Sequence, residues 1–528
     1  MTTDEISAAT VKEAPAQTSF FRSSVGVFAS NATSGLLVFV TTIVTARLLE
    51  PSGRGEFALG VLIPIFVVTL ISLGLAPATT YLVAQGEYPA REVLGTCILG
   101  GAVIGVVGAL GLIGLVPWLH EGPLKSLSPR ELALSISAVP LGLLAAVLQG
   151  FLLGAQRFRA YNVSVVGQSA LVLIGVLVVF GFLGPTVAGA LLANVMAYAI
   201  LCIGLVLTCR LSTGGIIWLP SWSLLHRAAK YGIQSHVSNV LTFLGYRIDM
   251  FFIGAFLSSA AVGVYSVAVA TAERAWLFSF AVSTVLFPRL AGETNANRRK
   301  AFTPVVSRNV LLMTAAVCLL LFVVSRPLIA LLYATSFAKS VGPLQALLPG
   351  IVLFSVGRVL ANDIAARGRP LVNSCIAGTS VVVNIGINLV LIPRYGVTGA
   401  AWASSVSYGI LFLCAMTYYC IVSGNTVRSV ILPTRSDVAL WRSAIAGLRR
   451  LDDPLARSAE ILPDAMSRRL SGRSKSPETW RTKSHAYSVE GVAEVSPPPR
   501  LGKSGTFKDE PVILRHAIDA EGVERERQ

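Results

Sequence analysis

Charged residues and histidines are scarce in this sequence of 528 residues. Only 13% of the residues are Asp, Glu, Lys or Arg, against roughly 25% in soluble domains, and five are His. No Walker loop, HExxH zinc motif or GxSxG nucleophile motif is present. We therefore predict that the protein is not an enzyme, has no catalytic residues, and uses neither a metal nor another cofactor.

Cysteine pairs are also lacking. None of the seven cysteines has CxxC spacing, and all lie in or beside apolar segments, so we expect small core residues rather than disulfide-bonded or metal-binding ones. The net charge is +16, but no dense basic patch carries interleaved aromatic residues, so nucleic acid is not a predicted partner. In membrane proteins such positive charge gathers in cytoplasmic loops, where it meets anionic lipid.

Long apolar segments make up most of the first 423 residues. This part holds 25 Lys or Arg and 13 Asp or Glu, whereas the much shorter remainder holds 18 and 14. The change separates a membrane domain from a cytoplasmic tail, residues 424–528, whose polar composition predicts that it is largely disordered. Residues 1–19 form a polar cytoplasmic segment. The apolar run that starts at Phe20 is long enough to remain as a signal anchor.

A helix needs about 20 mostly apolar residues to cross a bilayer. About twelve segments meet this requirement, and we therefore predict an all-α integral membrane protein with about 12 transmembrane helices. The predicted spans are residues 24–46, 57–82, 93–118, 132–154, 162–183, 186–208, 231–257, 261–287, 307–333, 343–366, 371–393 and 397–422.

The two halves of the membrane domain repeat one another at an offset of about 210 residues. The matching segments are Val187–Tyr198 with Val397–Tyr408, Arg157–Arg159 with Arg367–Arg369, and Gly55–Phe57 with Gly263–Tyr265. We predict two six-helix lobes, residues 20–209 and 231–423, joined by a basic cytoplasmic connector at 210–230. Because each lobe has an even number of spans, both insert in the same orientation and are parallel repeats.

Lysine and arginine are distributed unequally between the two sides of the membrane. If the N-terminus lies inside, the inner connections hold 15 of these residues and the outer connections hold 7. The positive-inside rule then places both termini in the cytoplasm. We expect a multi-pass protein of the cell (inner or plasma) membrane.

Three stretches of the sequence carry a family resemblance. They are Ala46–Ala58, which begins Ala-Arg-Leu-Leu-Glu-Pro, Tyr246–Ser266, in which an aspartate precedes a Gly-Val-Tyr turn, and Pro327–Tyr333. In order and spacing they resemble the oligosaccharide and polysaccharide flippases of the multidrug/oligosaccharidyl-lipid/polysaccharide exporter superfamily. The resemblance covers residues 20–423. It implies a two-lobed, twelve-helix transporter that moves a polyprenyl-diphosphate-linked oligosaccharide from the cytoplasmic to the outer leaflet.

Ionisable residues within apolar spans are costly and are therefore candidates for function. Those in the second half are Arg247, Asp249, Glu273, Arg274, Arg358 and Asp363. Arg247 and Glu273 lie at similar distances from the turn between spans 7 and 8, so they can pair across that hairpin. Two interpretations remain open: structural ion pairs between helices, or the lining of a cavity that binds an anionic headgroup or senses a coupling cation.

The implied substrate favours a cationic lining, because a diphosphate cannot cross hydrocarbon unaccompanied and arginine forks match phosphate oxygens in pairs. The candidate headgroup contacts are Arg247, Arg274 and Arg358, with Arg22 at the cytoplasmic mouth. Asp249, Glu273 and Asp363 are the candidates for coupling or ion pairing.

Other functions are compatible with this pattern. An ion-coupled multidrug exporter of the same superfamily predicts an acidic or aromatic cavity, and a non-transporting membrane scaffold for envelope biosynthesis would act through the tail. A membrane glycosyltransferase needs an acidic cluster in a roomy loop, whereas Glu121 and Glu131 share only a short one. The expected partners are a lipid-linked oligosaccharide and membrane lipids, together with a polysaccharide polymerase or glycosyltransferases.

One segment of the tail differs from the rest. Ser436 can cap a helix over residues 436–450 in which Val438, Trp441 and Ile445 share one face with basic residues elsewhere. Such a cationic amphipathic helix is expected to lie on the cytoplasmic membrane surface. The alternative is a marginal helix within a disordered tail.

Overall fold

A computed structural model describes residues 14–218, 221–276, 279, 282, 296–434 and 437, with residues 14–24, 234, 235 and 296–299 described by their backbone alone. This part of the chain is helical and contains no strand. The helices are α1 (Ala14–Ile71), α2 (Leu75–Gln85), α3 (Ala90–His120), α4 (Pro129–Gly154), α5 (Phe158–Leu183), α6 (Val187–Thr213), α7 (Trp222–Phe256), α8 (Ser259–Ala272), α9 (Ala296–Tyr333), α10 (Val341–Ala366), α11 (Pro370–Ser423) and α12 (Val427–Ile431). Two 3-10 turns, Glu273–Ala275 and Thr335–Ser340, follow α8 and α9.

The predicted all-α membrane architecture is confirmed. Within the described residues, eight helices are long and apolar enough to cross a membrane, and two of them, α1 and α11, contain a break. Helix α11 supplies two predicted spans, whereas α1 supplies the span 24–46 and the first part of 57–82, whose remainder lies in α2. Helix α7 covers the predicted span 231–257 up to Phe256, and α8 with the 3-10 turn after it covers the first half of the predicted span 261–287, whose last residues lie mostly outside the described part of the chain. Each predicted span is therefore mainly helical in the part that the structure describes.

The breaks in α1 and α11 reverse the direction of the chain. Glu50 has a positive φ of 58° and precedes Pro51, which disfavours helical geometry in the residue before it. Across this break the Thr42 hydroxyl lies 3.5 Å from an Arg54 guanidinium nitrogen, whereas 12 residues of straight helix would separate them by about 18 Å. In α11 the break falls at Gly396, whose φ of 60° suits glycine.

A glycine from each lobe brings the two lobes into backbone contact. A Cβ on Gly55 would lie 1.8 Å from the carbonyl oxygen of Ser259, and a Cβ on Gly263 would lie 2.0 Å from that of Pro51. The hydroxyls of Ser52 and Ser259 are 3.0 Å apart at the same place. Gly55 and Gly263 hold equivalent positions in the sequence repeat, so the repeat places small residues where the lobes meet.

A second contact between the lobes lies between α2 and α7. The rings of Tyr81 and Tyr231 stack with centroids 4.0 Å apart. Beside them a Cβ on Gly74 would lie 2.2 Å from the carbonyl oxygen of Gly232, so backbone again meets backbone. Relative motion of the lobes must therefore open at least one of two closely packed contacts.

The first residues after α11 pack against α9. Arg308 in α9 forms two hydrogen bonds to Asp437, at 2.6 and 3.1 Å, and both side chains are buried. This guanidinium lowers the pKa of Asp437 to about 2, so the carboxylate stays ionised at neutral pH. The beginning of the predicted tail is thereby held on the second lobe. The predicted helix at 436–450 and the rest of the tail lie outside the described residues, apart from Asp437.

All seven cysteines are free, and four of them, Cys97, Cys202, Cys209 and Cys318, are buried as expected. The prediction is wrong for Cys375, which is exposed. Cys375 lies on an outward apolar face of helix α11. Because the surroundings of such a face are lipid rather than water, a side chain of low polarity can be exposed there.

Because Gly55 has no room for a side chain, Gly55→Ala should weaken the closure of the lobes at this contact. Overpacking costs of this kind correspond to about a tenfold or larger shift in a closing equilibrium. We expect about tenfold slower cross-linking of a Ser52→Cys/Ser259→Cys pair by a short bifunctional thiol reagent. Gly111→Ala is the control, since its Cβ would meet nothing within 4 Å. Equal cross-linking in both variants would contradict this view of the contact.

Candidate functional site: a charged cavity between the lobes

A cavity of about 320 Å³ lies between the two lobes. The first lobe contributes both arms of α1 together with α5 and α6, and the second contributes α7, α8 and the 3-10 turn that follows. The polar and charged residues that line it are Thr41, Thr42, Arg54, Gln168, Ser169, Asn194, Tyr198, Arg247, Ser266, Glu273 and Arg274. Three of these are arginines and one is a glutamate, so the ionisable lining carries two net positive charges.

Arg247 and Glu273 form an ion pair across the α7–α8 hairpin. Both guanidinium amino groups of Arg247 engage the carboxylate, at 2.7 and 3.1 Å, in the bidentate geometry that suits this pair. Both side chains are half-buried and border the cavity. The pair therefore combines the two interpretations of the sequence: it links two helices, and it is also part of a cavity lining.

Arg274 reaches from the second lobe to the first. Its Nη1 donates to the carbonyl oxygen of Gly35 in α1 at 2.6 Å, and its guanidinium lies 5.3 Å from the ring centroid of Phe39. No carboxylate neutralises it within hydrogen-bond distance among the described residues. The charge of Arg274 is thus held at the interface between the lobes by neutral groups.

Arg54 is a site residue that the sequence interpretation missed, because the apolar pattern assigns it to the loop between spans 1 and 2. The reversal at Glu50 folds it into the cavity, where its side chain is buried. Within the part of the chain that the structure describes, its side chain forms one long hydrogen bond, 3.5 Å, to Thr42, and its buried Nε has no partner. Buried polar atoms are usually satisfied, so this guanidinium is available to an anion that enters the cavity.

Asp249 lies inside the second lobe, next to the cavity rather than in its lining. Its carboxylate accepts hydrogen bonds from the Tyr265 hydroxyl, from Ser404 at 3.0 Å and from the Met250 amide at 2.8 Å. Ser404 belongs to the second arm of α11, so the carboxylate joins α7, α8 and α11. A polar network on α11 continues from there through Ser407, Asn384 and Asn388.

A very small cavity connects Asp249 with the ion pair. It has a volume of about 10 Å³, enough for about one water molecule, and both Asp249 and Glu273 line it. Aromatic side chains form much of the remaining wall: Tyr246, Tyr265, Trp276 and Tyr408. A small cation or a proton carried by water could therefore contact two carboxylates that belong to different helices.

The other predicted site residues lie elsewhere. Asp363 is fully buried near the end of α10, where it pairs with Arg367 and accepts a hydrogen bond from Thr303 at 2.7 Å. Arg358 is half-buried in α10 and does not line the cavity. Arg22 lies in the first arm of α1, in a part described by its backbone alone. The structure therefore brings together Arg247, Glu273 and Arg274, with Asp249 behind them.

A wholly apolar groove of about 880 Å³ opens on another side of the interface. It runs between the second arm of α1, α3 and α7, with Phe66, Val103 and Phe251 among its walls. Helix α7 contributes Arg247 to the charged cavity and the next residue, Ile248, to this groove. Charged and apolar compartments therefore adjoin along one helix. Within the described residues, no three His, Cys, Asp or Glu side chains cluster as metal ligands would.

Comparison with known proteins gives a family match over half of the chain. The model of the polysaccharide biosynthesis protein family matches residues 22–292, and the MatE model matches residues 235–390. A similar protein is the probable low-salt glycan biosynthesis flippase Agl15 of Haloferax volcanii. The two are 25% identical over 401 residues, which cover 74% of this chain and 81% of that protein.

Solved structures share the fold. The lipid II flippase MurJ, in an inward closed conformation, superimposes with a TM-score of 0.65 at 14% identity, over 78% of this chain and 89% of MurJ. An inward-facing multidrug resistance transporter of the MATE family gives a TM-score of 0.64, also at 14% identity, over 76% of this chain and 98% of that one. At this level of identity the likeness concerns the fold alone.

Proposed function

Because the chain belongs to the polysaccharide biosynthesis protein family, we propose that it is a flippase for a polyprenyl-diphosphate-linked oligosaccharide. The observation that carries the proposal is the cavity between the lobes, whose three arginines face one glutamate. Similarity to a probable glycan biosynthesis flippase over most of both chains supports it. In this role the protein takes the lipid-linked oligosaccharide from the cytoplasmic leaflet and releases it in the outer leaflet, for cell-surface polysaccharide biosynthesis.

The diphosphate headgroup binds in the charged cavity. Arg247 is neutralised by Glu273, so Arg54 and Arg274 supply the two net charges that a diphosphate requires. The Nε of Arg54 has no partner among the described residues, and the contacts of Arg274 are with neutral groups, so both guanidiniums are able to bind phosphate oxygens. A volume of about 320 Å³ is at the small end for a ligand site, so a longer glycan requires the lobes to move apart.

The polyprenyl chain lies in the apolar groove while the headgroup crosses. None of the described residues that line the groove is charged. Helix α7 lines both the groove and the headgroup cavity, so the two adjoin. A lipid held in this way keeps its chain in an apolar environment throughout, which avoids the cost of exposing it to water.

Transport proceeds by alternating access, in which the lobes rock about the cavity. The Gly55–Gly263 contact and the α2–α7 contact are the parts of the interface that would open in turn. The positive-inside distribution of lysine and arginine supports a cytoplasmic location for both termini, and in that orientation the Gly55–Gly263 contact closes the outer end. In the same orientation the tail lies on the cytoplasmic side, where a polymerase or glycosyltransferase partner would meet it.

Asp249 couples transport to a proton or a monovalent cation. Its carboxylate is buried among three helices, and the cavity of about 10 Å³ places it beside Glu273, the partner of Arg247. Binding of a cation there changes the charge next to the headgroup site, which is how a gradient can alter headgroup affinity.

An ion-coupled multidrug exporter is the alternative transporter. It would need a cavity that attracts cationic drugs, whereas this lining has two net positive charges. A non-transporting scaffold would not need charged groups buried between two lobes, since they are costly and give no benefit to docking.

Loss of the cavity arginines should weaken binding of the headgroup. Charge-assisted hydrogen bonds contribute strongly to the free energy of binding, so Arg54→Ala/Arg274→Ala should slow transport at least about tenfold. The measurement is the movement of a labelled polyprenyl-diphosphate oligosaccharide in vesicles that contain only this protein. Arg369→Ala, which removes an exposed arginine far from the cavity, should transport at the normal rate. Normal transport by the double variant would remove both residues from the site.

Asp249→Asn should separate coupling from binding. The amide keeps an acceptor for Tyr265 and Ser404 but cannot be ionised, so we expect normal binding of the labelled lipid and no acceleration by an imposed sodium or proton gradient. Glu121→Gln, an exposed loop variant, should retain the acceleration. A gradient response that persists in Asp249→Asn would show that coupling occurs elsewhere.

The apolar groove can be filled without disturbing the backbone. Gly111 lines it, and a Cβ on Gly111 would meet nothing within 4 Å, so Gly111→Trp should fit and occupy the space of the lipid chain. We expect slower transport of a long-chain donor, with a short-chain analogue less affected. Gly114→Trp is the control, because Gly114 is equally unobstructed and lies outside the groove. Equal rates in the two variants would place the lipid chain elsewhere.

A further inference from the structure

A third groove lies within the first lobe, away from the cavity between the lobes. It has a volume of about 810 Å³ and is bounded by the end of α4, the beginning of α5 and the later part of α6. Two exposed arginines, Arg157 and Arg159, form its rim at the α4–α5 turn. Neither side chain has a hydrogen bond or ion pair with any residue that the structure describes. None of its wall residues lines the cavity between the lobes.

The same turn in the second lobe looks alike in sequence but differs in its contacts. Arg367 pairs there with Asp363, and Arg369 donates to the Tyr418 hydroxyl at 2.8 Å. At the equivalent offset the first lobe has Leu153 in place of the aspartate and Thr208 in place of the tyrosine. The first lobe therefore has both arginines of the repeat, but it has neither of the two side chains that bind the equivalent arginines in the second lobe.

The interior of the groove is mainly apolar, with Ser164 and Thr208 as polar wall residues, and it is kept open by glycine. Gly167 on α5 and Gly204 on α6 line it, and a Cβ on either would meet nothing within 4 Å. Leu201 and Leu205 form the floor, and Val163 stands exposed at the edge. The space between the two helices thus has room and a mainly apolar wall for a flexible hydrocarbon chain.

We propose that this groove binds an anionic phospholipid of the leaflet on the side of the α4–α5 turn. The phosphate contacts Arg157 and Arg159, and one acyl chain lies against Gly167 and Gly204. Basic pockets between transmembrane helices at the membrane surface recognise lipid phosphates in this way, and arginine binds them by its planar fork. The site is independent of the transported lipid, whose headgroup cavity lies between the lobes.

Phosphatidylglycerol binding to the purified full-length protein, measured by native mass spectrometry against phosphatidylcholine, tests the proposal. Arg157→Ala/Arg159→Ala should weaken the tightest phosphatidylglycerol site roughly thirtyfold, the effect of two basic residues near an anionic group. The control, Arg369→Ala/Arg428→Ala, removes one exposed arginine from the second lobe and one from the beginning of the tail, and should bind as the parent does. Equal losses in both variants would reduce the effect to surface charge and overturn the proposal.

The chain-binding half of the site has its own test. Gly204→Leu should lower phosphatidylglycerol binding although both arginines remain, whereas Gly181→Leu, equally unobstructed but outside the groove, should not. Unchanged binding in Gly204→Leu would contradict the proposed site. Polyprenyl diphosphate should not displace the bound phosphatidylglycerol at equal concentration. Displacement would assign the groove to the transported lipid and would also overturn the proposal.

Discussion

The cost of keeping ionised groups between transmembrane helices organises the interface of the two lobes. An unpaired charge in hydrocarbon is expensive, so each one must find a partner or a polar cavity. Arg247 is paired with Glu273, and Arg274 is held by a carbonyl oxygen of the other lobe. Arg54 is buried with one nitrogen unsatisfied among the described residues. These groups can be stable only if the lobes enclose a polar space, and that space is where an anionic headgroup can enter.

The duplicated sequence serves this interface in two different ways. Gly55 and Gly263 are equivalent in the repeat, and each lies against the backbone of the other lobe. Here the duplication gives a symmetric contact, because two parallel lobes present the same segment to each other. The charged residues are less symmetric, since the second lobe supplies Arg247, Glu273 and Arg274 whereas the first supplies Arg54. The contact about which the lobes move can be symmetric, whereas the site that binds the headgroup can draw its charged residues mainly from one lobe.

Much of the fold could be predicted from the sequence, because a membrane span requires a long apolar segment and each such segment is helical where the structure describes it. The pairing of Arg247 with Glu273 was also predictable, since both lie at the same distance from one turn. Arg54 could not be found by this reasoning. From the sequence, a charged residue between two apolar segments is assigned to a loop, and only the sharp reversal at Glu50 brings it into the cavity lining.

The different positions of Arg358 and Asp363 show a second limit, which concerns helix rotation. Both lie on α10 within an apolar segment, as Arg247 does on α7, but the direction in which each faces depends on how that helix packs against its neighbours. Asp363 meets Arg367 just beyond the end of its own helix and Thr303 on α9. A charge in a span therefore indicates that a partner exists. Whether the partner is a neighbouring side chain or a ligand depends on three-dimensional packing. That packing differs even between the two lobes, although both have a pair of arginines at the equivalent turn.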